Sequence, residues 1–421
     1  MHAHEDNLPM IVGIDFGTTN SVVALLAPNG QVTTHRFATG DVFRSVLCFW
    51  MGGKGARTLM HAAGPVGVEA YLDDPLESRL IMSMKTYLAQ ASFTRTQVHG
   101  RPFTLEAMVA LFLKALLEGL DLAGARIVAG RPVRFAGDLA DDALGEIRLR
   151  EAYRQAGLGE VDVAYEPEGA GYRFTRTLRD PATVLIGDFG GGTSDFSLLR
   201  FDPAANNPVT PLATTGVGVA GDTFDFRIID RVVSPLLGKG STYRIMGTDL
   251  PVPIEYYTGF ARWHRLSLMR APKTLRAIDE VRRTAAEPEK LARLLQVIEA
   301  EQGYELYRTV STVKAALSTA DRATLRFETE GFTVEQEIER AEFEHWIAPD
   351  LAAMSAAIDR ALTMAGDVPV DRVFLTGGTS YVPAVRRLFE QRFGAQIVSG
   401  GGEFVSVAEG LALIGRDRTA A

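Results

Sequence analysis

Apolar residues in this chain fall into two alternating patterns: short continuous runs bounded by glycine-bearing turns, and stretches in which they recur every three to four positions. The runs at 10–26, 32–37 and 45–50 read as strands, with a turn at Pro28-Asn29-Gly30. Thr104 then caps a predicted helix carrying Leu105, Met108, Val109, Phe112 and Leu116 at helical spacing. A short strand at 126–129 ends at Gly130-Arg131-Pro132, a helix follows over 139–156 to Gly157, and a strand at 161–165 runs into Glu166-Pro167. A glycine-rich hairpin opens the second half, its outgoing strand ending at Asp202-Pro203. A helix is expected over 222–237, an Arg-rich helical subdomain over 238–320, a hairpin over 324–339 and a helix over 342–366. A strand at 373–375 leads into Thr376-Gly377-Gly378-Thr379, and a helix over 405–414 closes the chain. Strands and helices alternate throughout, which predicts an α/β protein.

One phrase occurs twice. Asp15-Phe16-Gly17-Thr18-Thr19-Asn20-Ser21 and Asp188-Phe189-Gly190-Gly191-Gly192-Thr193-Ser194 share four of seven positions, 173 residues apart. Each copy lies between two apolar runs, so each reads as strand, glycine-rich turn, strand. Glycine lets backbone approach a phosphate closely, and successive N–H groups make an anion-binding nest. Asp15 and Asp188, at the ends of the incoming strands, suit Mg²⁺, which needs only one or two carboxylates beside water and phosphate. Two such tips facing each other would grip a polyphosphate and its metal, which points to a two-lobed ATPase.

Composition narrows the alternatives. The 421 residues carry a formal charge of -8, without the basic excess of a general nucleic-acid binder. The single cysteine, Cys48, sits in an apolar run and can form no disulfide within the chain, which fits a reducing cytoplasm. The N-terminus lacks the pattern of a signal peptide, and no apolar run is long enough to span a bilayer. There is no G-x-x-x-x-G-K-[ST] motif, no H-E-x-x-H and no paired-cysteine spacing. A G-x-G-x-x-G does occur from Gly216 to Gly221, too late in the chain, and without the right acidic partner, to argue for a dinucleotide site.

The two hairpin phrases, together with Val373-Phe374-Leu375-Thr376-Gly377-Gly378-Thr379-Ser380-Tyr381-Val382-Pro383, resemble the three signatures of the actin-like ATPase superfamily. Glu166-Pro167 and Val407-Ala408-Glu409-Gly410 resemble its two connecting motifs. Within the superfamily the phrases are most similar to the nucleotide-binding domain of DnaK-type heat-shock chaperones. The resemblance implies two lobes, each a mixed sheet flanked by helices, with a nucleotide cleft between them. Lobe one would be 1–187 plus a returning C-terminal helix at 401–421, and lobe two 188–400 with an outer helical subdomain at about 222–320.

The resemblance also implies roles. Asp15 and Asp188 would hold Mg²⁺ through water. Gly17, Thr18, Thr19 and Asn20, with Gly190, Gly191, Gly192 and Thr193, would bind the β- and γ-phosphates of ATP or ADP. Lys85 would orient the attacking water, with Glu166 and Asp195 completing the polar ring. Gly377 and Gly378 would pass under the sugar and α-phosphate, and Gly221, Lys314, Ser318 and Tyr381 would join the nucleotide's contacts. A slow, cytoplasmic, Mg²⁺-dependent ATPase is expected, a monomer whose nucleotide-driven conformational change is read by a protein partner or co-chaperone, with no nucleic acid or membrane involved.

Two departures stand out. Where the family places an acid and an arginine beside Lys314, this chain has Ser311 and Ala315, and Tyr381 replaces a second arginine. Tyr381 is then expected to stack on the base alone. The chain also stops at Ala421, directly after its closing helix, where DnaK-type proteins continue into a peptide-binding domain. The alternatives are an actin-like filament protein, a nucleotide sensor with little turnover, and a sugar or polyol kinase; against the last, Asp188-Phe-Gly-Gly-Gly-Thr is foreign to such kinases and no base for a sugar hydroxyl can be named.

Overall fold

A computed structural model describes residues 9–53, 58–136, 139–205, 209–262, 265, 269–329, 331–400 and 405–420. The N-terminal residues read for a leader (1–8), part of the turn after Asp202 (206–208) and the start of the closing segment (401–404) lie outside them. The chain forms two compact units, Met1–Gly221 with Leu351–Ala421, and Asp222–Asp350.

The first unit contains two sheets built to one plan. In one, the order is Asp162–Tyr165, Arg126–Arg131, Ile11–Asp15, Asn20–Leu26, Val32–Thr34, with Phe43–Arg44 paired to Asn20–Leu26. In the other it is Val398–Gly400, Arg372–Thr376, Ala182–Phe189, Ser194–Phe201, Val209–Val217. Each has an antiparallel hairpin at its centre, two strands running parallel to the hairpin's first strand on one side, and a third antiparallel strand on the other. The repeated phrase is thus the visible part of a repeated sheet.

Side chains alternate across the first sheet with the period of two that a strand dictates. Val12 and Ile14 join a core with Phe16, Phe112 and Tyr153, while Ile11 joins a second core with Val128, Ile186, Leu199, Leu411 and Ile414. That second core includes the helices Glu166–Thr175 and Ser406–Ala420, which close the two sheet repeats. The helices cross with backbone against backbone: a Cβ on Gly410 would stand 1.6 Å from the Gly169 carbonyl oxygen. Only glycine fits a contact that close.

In the second unit the helices Pro272–Arg283, Pro288–Glu299 and Gly303–Ala316 carry an apolar core. Leu291, Leu294, Leu295, Val297 and Ile298 are all buried in it. The Arg227 guanidinium holds Asp350 with two 2.9 Å hydrogen bonds.

Four elements differ from expectation. The helix expected at 139–156 begins at Asp142, because the Asp141 side chain accepts the Leu144 N–H and so caps it. The helix expected over 222–237 is α only through Ile228, then widens to a π turn over Ile229–Val233 and tightens to a 3₁₀ turn over Ser234–Leu237. Pro235 lacks the N–H a regular helix would need there. Pro349 in the same way splits the helix expected at 342–366 into Arg340–Trp346 and Ala348–Met364. Within the region read as wholly helical, Thr242–Ile245 and Thr248–Pro251 form a hairpin, its tip Met246-Gly247 at φ 48° and 84°. Methionine is a poor signal for a turn that needs two positive φ values.

Candidate functional site

The two hairpin tips come together inside the first unit. A Cβ added to Gly192 would lie 3.4 Å from Thr18 Oγ1, so the second tip rests against the first. The second tip is a tight turn in which the Gly190 N–H donates to the Thr193 carbonyl at 2.9 Å. The third glycine phrase closes on it. Gly377 has φ 85°, and a Cβ there would stand 2.1 Å from the Phe189 carbonyl oxygen, so both conformation and space demand glycine. Thr379 Oγ1 donates to the Gly190 carbonyl at 3.4 Å. Gly378 begins a short 3₁₀ turn that ends at Tyr381, whose ring is half exposed. At the first tip, the Thr19 carbonyl accepts the Ser45 N–H at 2.9 Å and the Asn20 amide oxygen accepts from Arg44 at 3.4 Å. Thr19 Oγ1 is buried without a hydrogen-bond partner among the described residues.

Under these tips lies a buried charged cluster. Lys85 and Glu166 form an ion pair, both only about one-twentieth exposed. Lys85 is delivered by the single turn Met84–Tyr87, entered through Ser83 at φ 50°. Glu166 is delivered by the first residue of its helix, where Pro167 pre-sets the helical backbone. Asp15 ends the first strand of one hairpin, Asp188 is the next-to-last residue of the first strand of the other, and Asp195 pairs across the ladder from Asp188.

The cluster's electrostatics follow from burying several acids around one base. Burial, then Glu166, push the Asp15 carboxyl up to about 7 against the pull of Lys85. Burial and the surrounding carboxylates raise Asp188 well above the usual carboxylate range. Asp195 rises to about 7 through burial and Glu166, partly offset by hydrogen bonds from the Thr193 hydroxyl and the Arg134 N–H. For Lys85, burial works against the charged form, but Glu166, Asp15 and Asp188 outweigh it and the ammonium is held above its ordinary value.

Four acids around one lysine leave the cluster short of positive charge, and Thr19 Oγ1 adds an unsatisfied polar atom; both fit a cation with polyphosphate. Among the described residues no three Asp, Glu, His or Cys side chains converge as a metal cage. The donor set therefore suits Mg²⁺, which keeps water and phosphate in its shell, better than a metal needing an all-protein cage.

Gly221 opens the helix Gly221–Ile228 at the end of the first unit. Lys314 and Ser318 belong to the second unit, where Lys314 Nζ pairs with Asp225 at 2.9 Å and Ser318 Oγ donates to the Lys314 carbonyl at 3.4 Å. Sequence reasoning passed over the support for Asp195: its Oδ1 accepts the backbone N–H groups of Val133 at 3.0 Å and Arg134 at 3.3 Å. Backbone donors leave no residue-type signal; only the strand-ending Gly130-Arg131-Pro132 marked the place. Among the described residues no helix is long and apolar enough to cross a membrane.

The profile of the Hsp70 protein family matches residues 296–416. The chaperone protein DnaK of Thermus thermophilus is 25% identical over 402 residues, covering 91% of this chain and 57% of the relative. DnaK of Thermotoga neapolitana is 26% identical over 397 residues, covering 92% of this chain and 56% of the relative. The chain thus spans a little over half the length of the curated relatives it matches. The matches fall on the family that the hairpin phrases resemble, and the duplicated mixed sheets flanked by helices are the arrangement of the actin-like ATPase fold: the chain is similar to the Hsp70 family over residues 296–416 and, along most of its length, to DnaK chaperones.

Proposed function

We propose that this chain binds ATP with Mg²⁺ at the paired hairpin tips and hydrolyses it slowly, its conformational response being read by a protein partner. The observation that carries the reading is the meeting of the two glycine tips over a buried set of Asp15, Lys85, Glu166, Asp188 and Asp195. Backbone N–H groups of Gly17 to Thr19 and of Gly191 to Thr193 would hold the β- and γ-phosphates, with the Thr18 and Thr19 hydroxyls as further donors. Asp15 and Asp188 would hold Mg²⁺ through water, and the ion supplies charge neutralisation for the phosphates. Lys85, fixed by Glu166, would donate to the attacking water, and Asp195 would accept its proton. Most of the rate would come from positioning and charge stabilisation.

The family relationship supports this reading, since relatives named as DnaK chaperones match along nine-tenths of the chain. A sensor with little turnover is the second reading. It is favoured by Ser311 and Ala315, where the family pattern has an acid and an arginine, and by the half-exposed Tyr381 ring left to face the base. Thermal melts with ATP and Mg²⁺, with ATP and chelator, and with GTP test binding itself. Stabilisation that needs both ATP and Mg²⁺ supports the site; no shift with any nucleotide rejects it.

A further inference from the structure

We infer that Arg131 is a positioning residue for Asp195, acting through the two peptide planes that lie between them; the inference rests on the ATPase reading above. The Arg131 side chain is buried, and each of its three guanidinium nitrogens donates a hydrogen bond. Its Nε donates to the Pro132 carbonyl at 3.0 Å, one terminal nitrogen donates to Glu146 at 2.7 Å, and the other donates to the Val133 carbonyl at 3.3 Å. Its central carbon lies over the rings of Phe135 and Tyr165, 5.2 and 5.3 Å from their centroids.

The two carbonyls matter because of what lies on the far side of each peptide. In a trans peptide the C=O and N–H point in opposite directions within one plane. The peptide whose carbonyl is Pro132 O carries the Val133 N–H, and the peptide whose carbonyl is Val133 O carries the Arg134 N–H. Both N–H groups donate to Asp195 Oδ1, at 3.0 and 3.3 Å. Two successive peptide planes are therefore clamped between a guanidinium fork and a carboxylate, and Arg131 sets the direction in which their N–H groups point.

The far end of the loop is pinned separately. Asp142 Oδ1 accepts the Phe135 N–H at 2.8 Å, and the Phe135 ring lies on Gly145, where a Cβ would be 2.7 Å away. Glu146, which holds Arg131, is itself held by Arg150 at 2.8 and 3.0 Å. Across the carboxylate, Gly216 makes room for Asp195 in this position: a Cβ there would stand 2.4 Å from Oδ1. Lysine cannot replace this arrangement, because an ammonium lacks the planar fork and the stacking face.

The test compares wild type with Arg131→Met, which keeps an apolar stem between the two rings, and with Arg131→Lys, reading three quantities. These are hydrogen exchange at the Val133 and Arg134 amides, the dissociation constant for ATP with Mg²⁺, and kcat for phosphate release. Faster exchange at both amides and a kcat at least about tenfold lower, with the dissociation constant within about twofold, support the inference; the lysine variant shows the same pattern, whereas Glu146→Gln, which keeps an acceptor, stays near wild type. Unchanged exchange at the two amides overturns it, as does faster exchange with unchanged kcat. A fall in affinity matching the fall in kcat also overturns it, since that is the mark of general damage. Should wild type bind ATP without turning it over, the ATPase reading fails by itself, and the exchange comparison still decides whether Arg131 holds the two amides.

Discussion

Lys85 and Glu166 lie 81 residues apart in sequence and form a buried ion pair beneath two backbone hairpins. Removing one partner of such a pair leaves the other as an uncompensated charge, which costs about 3–5 kcal/mol. Here the loss is aggravated by Asp15 and Asp188, whose charges Lys85 also offsets. Lys85→Met is expected to lower the unfolding free energy of the nucleotide-free protein by about that amount, read from the urea midpoint. An unchanged midpoint would mean that the pair is solvated or broken in solution.

The same cluster sets a pH dependence with a definite sign. Burial and Glu166 push the Asp15 and Asp195 carboxyls up to about 7 in the folded protein, from an ordinary value near 3.8. Between those limits the folded state holds protons that the unfolded chain has released. Their contribution is fully present below about pH 4 and is lost as pH rises through about 7. The nucleotide-free protein should therefore unfold more readily near pH 8 than near pH 5, the difference shrinking with ATP and Mg²⁺, which neutralise the carboxylates by another route. Equal midpoints at both pH values in the free protein would contradict the raised carboxyls.

Glycines that serve the fold should separate from glycines that serve the ligand. Gly410→Ala forces a methyl into the Gly169 carbonyl and should cost about 3 kcal/mol or more in stability. Gly190 has negative φ and room for a Cβ, whose nearest neighbour would be 3.5 Å away. Gly190→Ala should melt like wild type while weakening ATP binding. Parallel melts and nucleotide titrations check both, and a large stability loss in the Gly190 variant would assign that turn to the fold alone.

Much of this was legible in the sequence, for identifiable reasons. The duplicated phrase marked both hairpins because a strand-borne aspartate followed by glycines is a residue-type pattern that local sequence shows directly. Thr104, whose hydroxyl accepts the Ala107 N–H at 3.2 Å, announced its helix through capping chemistry. What stayed hidden depends on tertiary contact. The crossing of the Glu166 and C-terminal helices looks from sequence like two unremarked glycines. The cradle around Asp195 is made of backbone N–H groups, and the Met246-Gly247 turn uses a residue that seldom takes positive φ. The division at Asp350 depends on contacts that no local pattern encodes.

That turn is correctable. Met246 is fully exposed with φ 48°, so Met246→Asn removes backbone strain without losing a packed side chain. A gain of about 0.5–1 kcal/mol is expected, seen as a higher urea midpoint for the second unit. A loss of stability would mean that Met246 makes contacts in solution.

Tyr381 tests the base-binding side of the account. Stacking of a base on an aromatic ring is worth about 1–3 kcal/mol, so Tyr381→Ala should weaken ATP binding about tenfold while Tyr381→Phe stays near wild type. Titration with a fluorescent ATP analogue reads the difference. Equal affinity in all three proteins would show that this ring does not meet the base.

The central claim is most directly tested by phosphate release from ATP with Mg²⁺, measured on wild type beside Asp188→Ala and Lys85→Ala. The account predicts slow turnover in wild type that both substitutions abolish and that chelating the metal stops. Turnover that survives in either variant would contradict the assignment of the cluster, and a wild type that binds ATP without releasing phosphate would leave a nucleotide sensor in place of an ATPase.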